Sequence, residues 1–261
     1  MIQMDFGLGS IEAEFWRWVF VMTRIGAAML AAPLFGASSV PAQVRVIAAG
    51  AVAVFLCAWF PAIRAPADML SVGGLVIVAG EVLIGLAMGF MLQIAFAAPV
   101  MAAEMISGTM GMSMAVAVDP GSGAQSPALG QYFTVVMTLI FLALGAHLHW
   151  IRLLVESYGA FPPGSAWFGP ERSGMVLDFG STMFVSAVVI ALPVTFVLLM
   201  AQVVTGVLSR SAPSLNLFAL GLPLGVLAGL VALIASLPVL HEQLADLSTT
   251  AVQAAGALVT P

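Results

Sequence analysis

Charge-poor apolar runs divide this chain, and polar, Pro- and Gly-rich breaks separate them. The first run covers 11–32, with Trp16 and Trp18 near its start, where interfacial aromatics are common. The break APLFGASSVPAQVR, bracketed by Pro33 and Pro41, leads into a second run at 43–60 that stops at Pro61 and Pro66. A third starts near Met69 and carries no charge from Val82 to Ala103, enough to cross a bilayer core of about 30 Å. Pro99 lies within it, has no backbone donor, and predicts a kink or break. The stretch DPGSGAQSP then reads as a loop, and a fourth run covers 127–158. Residues 159–178 form the longest polar connection and the predicted internal boundary. Two long runs, 179–209 and 215–240, joined by SRSAPSLN, predict a helical hairpin. The tail 241–259 is expected to be a last, less buried helix. The predicted fold is all-α, built from multi-pass, membrane-type helical hairpins.

Composition strengthens this picture. The chain is 62% hydrophobic and only 7% charged, against about 25% charged in soluble domains. Its net charge is −5 and its seven basic residues are all arginine, with no basic run, which argues against nucleic acid as a partner. Those arginines are too few to orient the helices by the positive-inside rule. The N-terminal stretch is acidic before Arg17 and does not read as a signal peptide. Cys57 stands alone in an apolar run, which suits a small buried hydrophobe.

Residues 99–120, PVMAAEMISGTMGMSMAVAVDP, break the pattern. They hold Met101, Met105, Met110, Met112 and Met114, with Gly108 and Gly111 where a plain spanning helix would favour leucine. Thioether side chains can seal an irregular gap without fixing one shape. The stretch therefore reads either as the lining or plug of a passage, or as a buried helix with gap-filling methionines.

The polar residues inside the runs are Arg24, Glu81 and Glu104. Intramembrane charges face protein or water, so these three are expected at buried or subunit-contact positions. Glu81 and Glu104 could form a proton relay, although Pro99 lies between them. Gly85 and Gly89 form a small-xxx-small pair, and Gly221, Gly225 and Gly229 repeat every four residues. Either set can seat a helix of this chain or of a neighbour. His147 and His149 point to different helix faces and make a poor metal pair. Nucleotide, hydrolase, metalloprotease and redox motifs are absent, so neither cofactor nor metal is expected.

In order along the chain, several motifs resemble the FliR family, a membrane component of the flagellar type III export gate related to a subunit of virulence injectisomes. They are Arg24 with Ala32-Pro33-Leu34, Val40-Pro41 and Val44-Arg45; GEVLIGLAMGFMLQIAFAA at 80–98, running into Glu104, Met110-Gly111-x-Ser113 and Val118-Asp119-Pro120; Gly145-x-His147; and ALPVTFVLLMAQVVTGVLSRSAPSLNLFALGLPLG at 191–225. The resemblance implies no enzyme. It implies a hetero-oligomer with FliP-like and FliQ-like subunits, serving FlhB-like and FlhA-like export components and passing unfolded substrates. Residues 1–175 would be a FliP-like helical part containing a central plug loop at 106–122, and 176–261 a FliQ-like hairpin and tail. The plug would involve Met110, Gly111, Met112, Ser113, Met114, Asp119 and Pro120. At two positions where the family carries phenylalanine this chain has Met114 and Ala117, pointing to a thioether seal in place of rings. The alternatives are the equivalent injectisome subunit and, in another class, a small proton-coupled transporter with Arg24, Glu81 and Glu104 at its site.

Overall fold

The computed structural model describes residues 8–37, 39–66, 69, 71–112, 128–164, 169–211 and 217–259. Among them every regular element is a helix: α1 (Leu8–Ala31), α2 (Ala42–Trp59), α3 (Val72–Thr109), α4 (Ala128–Ala143), α5 (Ala146–Ala160), α6 (Pro170–Ser211) and α7 (Leu217–Val259). Four of these helices are long and apolar enough to cross a membrane, and the broken pair α4 and α5 could form a fifth crossing. The protein is an all-α, multi-pass membrane protein, as its apolar runs predict.

The chain divides into two compact units. The first comprises Met1–Ile94, Gly145–Phe179 and Ala251–Pro261. Here α1 packs on α2, and the core gathers Phe20, Ile25, Met29, Leu56, Met88, Met91, Trp150 and Leu154. The Trp150 ring stacks on Phe35, and its indole donates to the Met88 carbonyl at 3.2 Å. Arg45 donates to the carbonyls of Ala37 and Val40, tying down the turn after α1. The second unit comprises Ala95–Leu144 and Gly180–Thr250. Its core includes Phe96, Ile106, Phe133, Met137, Phe141, Val194, Leu198, Leu244 and Leu247, with Phe96 meeting Phe141 edge to face.

Four expectations are corrected. Pro99 does not break α3, which is one 38-residue helix. Ala95, Ala98, Ala102 and Ala103 are fully buried around it, so packing carries the helix across the missing hydrogen bond. The fourth apolar run is two helices, broken at Leu144 and Gly145; Gly145 adopts φ 67°, a left-handed conformation that suits glycine. The tail is the continuation of α7 rather than a less buried helix. Leu244, Leu247, Ser248, Ala251, Val252, Ala255, Leu258 and Val259 are buried at helical spacing. The 159–178 connection is also shorter than its composition suggests, since α6 begins at Pro170, the first-turn position where proline is favoured.

Candidate functional site

Two arrangements bring together most of the residues singled out from sequence. The first, within the first unit, is a buried ion pair. Arg24 is fully buried and Glu81 is 2% exposed. Arg24 Nε donates to Glu81 Oε2 at 2.7 Å and Nη2 to Oε1 at 2.9 Å, a bidentate pair. Nη1 donates to Ser157 Oγ at 3.0 Å, and Nη2 also donates to the Phe161 carbonyl at 2.9 Å. The guanidinium lies 4.0 Å over the Tyr158 ring, whose hydroxyl donates to the Val21 carbonyl at 2.6 Å. The pair thus joins α1, α3 and the end of α5.

Small residues let the helices come this close. A Cβ on Gly85 would collide with the Arg24 carbonyl and lie 3.0 Å from Ala28 N. One on Gly89 would collide with the Ala28 carbonyl and lie 3.0 Å from Ala32 N. Glu81, Gly85 and Gly89 therefore form one stripe on α3, matched by Arg24 and Ala28 on α1 and by Ala32 just past its end. The glycine pair serves packing within this chain. The remaining polar residue, Glu104, is exposed on α3, which leaves the subunit-contact alternative for it. Arg24 and Glu81 are thus paired with one another and buried.

The second arrangement, within the second unit, holds the end of α3. Gly111 takes φ 84° and its amide donates to the Gly108 carbonyl at 3.1 Å, closing the helix with a left-handed turn. Met110, 5% exposed, lies in a notch on α7. A Cβ on Gly225 would lie 2.8 Å from the Met110 carbonyl, and one on Gly229 would collide with the Met110 thioether. From α6, Gln202 Nε2 donates to the Thr109 carbonyl at 2.7 Å, one of the acceptors a helix end leaves unpaired. Met110 is therefore an anchor whose side chain is covered, while Met112 beyond the turn is half-buried. Ser113, Met114, Asp119 and Pro120 lie outside the described residues, as do the surroundings of Gly221.

Sequence reasoning missed Gln202, Ser157, Tyr158 and Phe161. A lone amide in the apolar run of α6 was the available signal for Gln202. The other three are brought to Arg24 by the fold from far along the chain, and no spacing rule points to them.

Buried polar groups paired inside, with long helices turning apolar residues outward, define a multi-pass helical membrane protein. Residues 15–251 match the family model of bacterial export proteins, family 1. The flagellar biosynthetic protein FliR of Escherichia coli (strain K12) is 32% identical over 233 residues, covering 89% of this chain and 87% of that protein. FliR of Bacillus subtilis (strain 168) is 30% identical over 237 residues, covering 89% and 90%. FliR of Aquifex aeolicus (strain VF5) is 31% identical over 220 residues, covering 83% of each chain. The chain belongs to this export-protein family, that of the flagellar biosynthetic protein FliR.

Proposed function

We propose that this chain is the FliR-type subunit of a flagellar protein-export gate in the bacterial inner membrane, within the flagellar basal body. With FliP-like and FliQ-like subunits it forms the conduit for unfolded flagellar proteins, and FlhA-like and FlhB-like components deliver them. Residues 1–175 act as the FliP-like part and 176–261 as the FliQ-like hairpin and tail. The role is structural and gating, without catalysis or cofactor.

The observation that carries this reading is the seat under the end of α3. Met110 on Gly225 and Gly229, with Gln202 holding the Thr109 carbonyl, fixes where the chain leaves α3 for the proposed plug. An anchored entry lets Met112, Met114 and the residues beyond close a passage from a defined point. A flexible thioether closes equally well around nothing or around a passing chain.

Helix length supports partner subunits. α6 and α7 have 42 and 43 residues, about 63 Å at 1.5 Å per residue, roughly twice a bilayer core. Exposed apolar residues run along α6 from Phe184 to Leu208 and along α7 from Leu224 to Val239, while α7 exposes His241, Glu242 and Asp246 beyond that stretch. A helix about twice as long as the bilayer core reaches past the lipid, where such apolar faces suit helices of sister subunits. The flagellar names of the three relatives favour a flagellar over an injectisome setting.

Mild-detergent purification of the tagged chain, followed by identification of co-eluting proteins, tests the assignment. FliP- and FliQ-like proteins should co-elute in fixed ratio. A chain that purifies alone and carries a small solute in vesicles would instead point to the transporter.

A further inference from the structure

At one end of α1 and α2, within the first unit, lies a cavity of about 630 Å³ lined by Glu14, Trp16, Arg17, Ile63, Arg64 and Met69 among others. That volume falls within the roughly 300–1,000 Å³ of small-molecule sites. We propose that it is a phospholipid headgroup site, with Arg64 pairing the phosphodiester and the apolar wall holding the glycerol end.

Charge comes first. Arg17 Nη1 donates to Glu14 Oε2 at 3.1 Å, and Nη2 donates to the carbonyls of Cys57 and Phe60 at 2.8 Å each. Arg17 and Glu14 thus neutralise each other while closing the end of α2. Arg64 pairs with no described residue and is exposed at the cavity. Among the described lining residues Arg64 is thus the one charge without a partner, the complement of a monoanionic phosphodiester. Arg17 Nε is buried with no acceptor among the described residues.

Depth comes second. α2 is a candidate span that ends at Trp59. Trp59 is 70% exposed and stacks on Phe55, while Phe15 and Trp16 form an exposed pair on α1. Such a belt marks the membrane–water interface. Arg64 follows shortly after Trp59, at the level where lipid phosphates lie. Trp16, Ile63, Pro61, Pro66 and Met69 supply an apolar wall beside that charge. A free phosphate ion has no use for such a wall, and a lipid does.

The test takes the full chain with its co-eluting subunits, washed through repeated detergent exchange, and measures retained phospholipid by native mass spectrometry and by extraction. The wild type should keep one phospholipid per chain. Arg64→Gln should lower retention about tenfold, the loss expected for one charge-assisted contact, with complex yield and thermal midpoint unchanged. Arg64→Lys should restore part of it, and Arg152→Gln, an exposed arginine bound to Glu156, should leave retention intact. Dihexanoyl phosphatidylglycerol should rebind to delipidated complex, while millimolar inorganic phosphate should not displace it. Equal retention in wild type and Arg64→Gln, displacement by inorganic phosphate, or a cross-link from position 64 to an acidic segment of a partner protein would each overturn the proposal.

Discussion

At Arg24 a full positive charge is removed from solvent and matched by Glu81, Ser157 and the Phe161 carbonyl. Breaking one partner of a buried pair leaves the other charge uncompensated and costs about 3–5 kcal/mol. Arg24→Ala or Glu81→Gln should therefore lower the thermal midpoint of the detergent-solubilised chain sharply. Arg24→Met combined with Glu81→Leu should recover most of that loss, because apolar replacement of both members is near neutral. The glycines at the loop seat give a second contrast. A Cβ at Gly229 meets the flexible Met110 side chain, whereas one at Gly225 meets the Met110 backbone carbonyl. Gly225→Ala should accordingly raise hydrogen exchange at amides 106–112 more than Gly229→Ala does. Gln202→Leu removes one hydrogen bond, about 1 kcal/mol, and should raise exchange at the same amides modestly.

Among the helices, the α1–α3 seam depends on two glycines whose added Cβ atoms would strike backbone. Gly85→Ala and Gly89→Ala should each destabilise the chain by about 1–3 kcal/mol, the usual range for overpacking. At Gly80 an added Cβ meets nothing within 4 Å, so Gly80→Ala should stabilise the chain by up to about 1 kcal/mol through helix propensity. Thermal midpoints of the three variants, measured side by side, check this. The spacing of Gly85 and Gly89 was legible in the sequence because a small-residue stripe has a fixed helical period. Its partner was not, because the same stripe would suit a neighbouring protein. Helix positions were legible for the same kind of reason: a bilayer demands long apolar runs. Pro99 misled only as to a break, since local sequence reports the lost hydrogen bond but not the buried alanines that hold the helix through it. The tail misled in the other direction: its small residues look weak in isolation, yet they are what permits close packing, as at Gly256 against Leu153.

For the whole molecule, two features support the proposed function. α6 and α7 are longer than a bilayer core and turn apolar residues outward over part of their length, which suits the proposed sister subunits. The chain leaves α3 from a seat built by α6 and α7, which would give the proposed closing loop a fixed root. The ion pair was half legible in the sequence: Arg24 and Glu81 stood out as costly charges, but nothing in their spacing pairs them. The most direct test of the central claim is the ion conductance of the assembled complex in planar bilayers. Wild-type complex should be tight, and simultaneous Met110→Ser, Met112→Ser and Met114→Ser should make it leak while the subunits still co-elute in normal ratio. Unchanged conductance in that fully assembled variant would contradict the claim that this stretch closes the conduit.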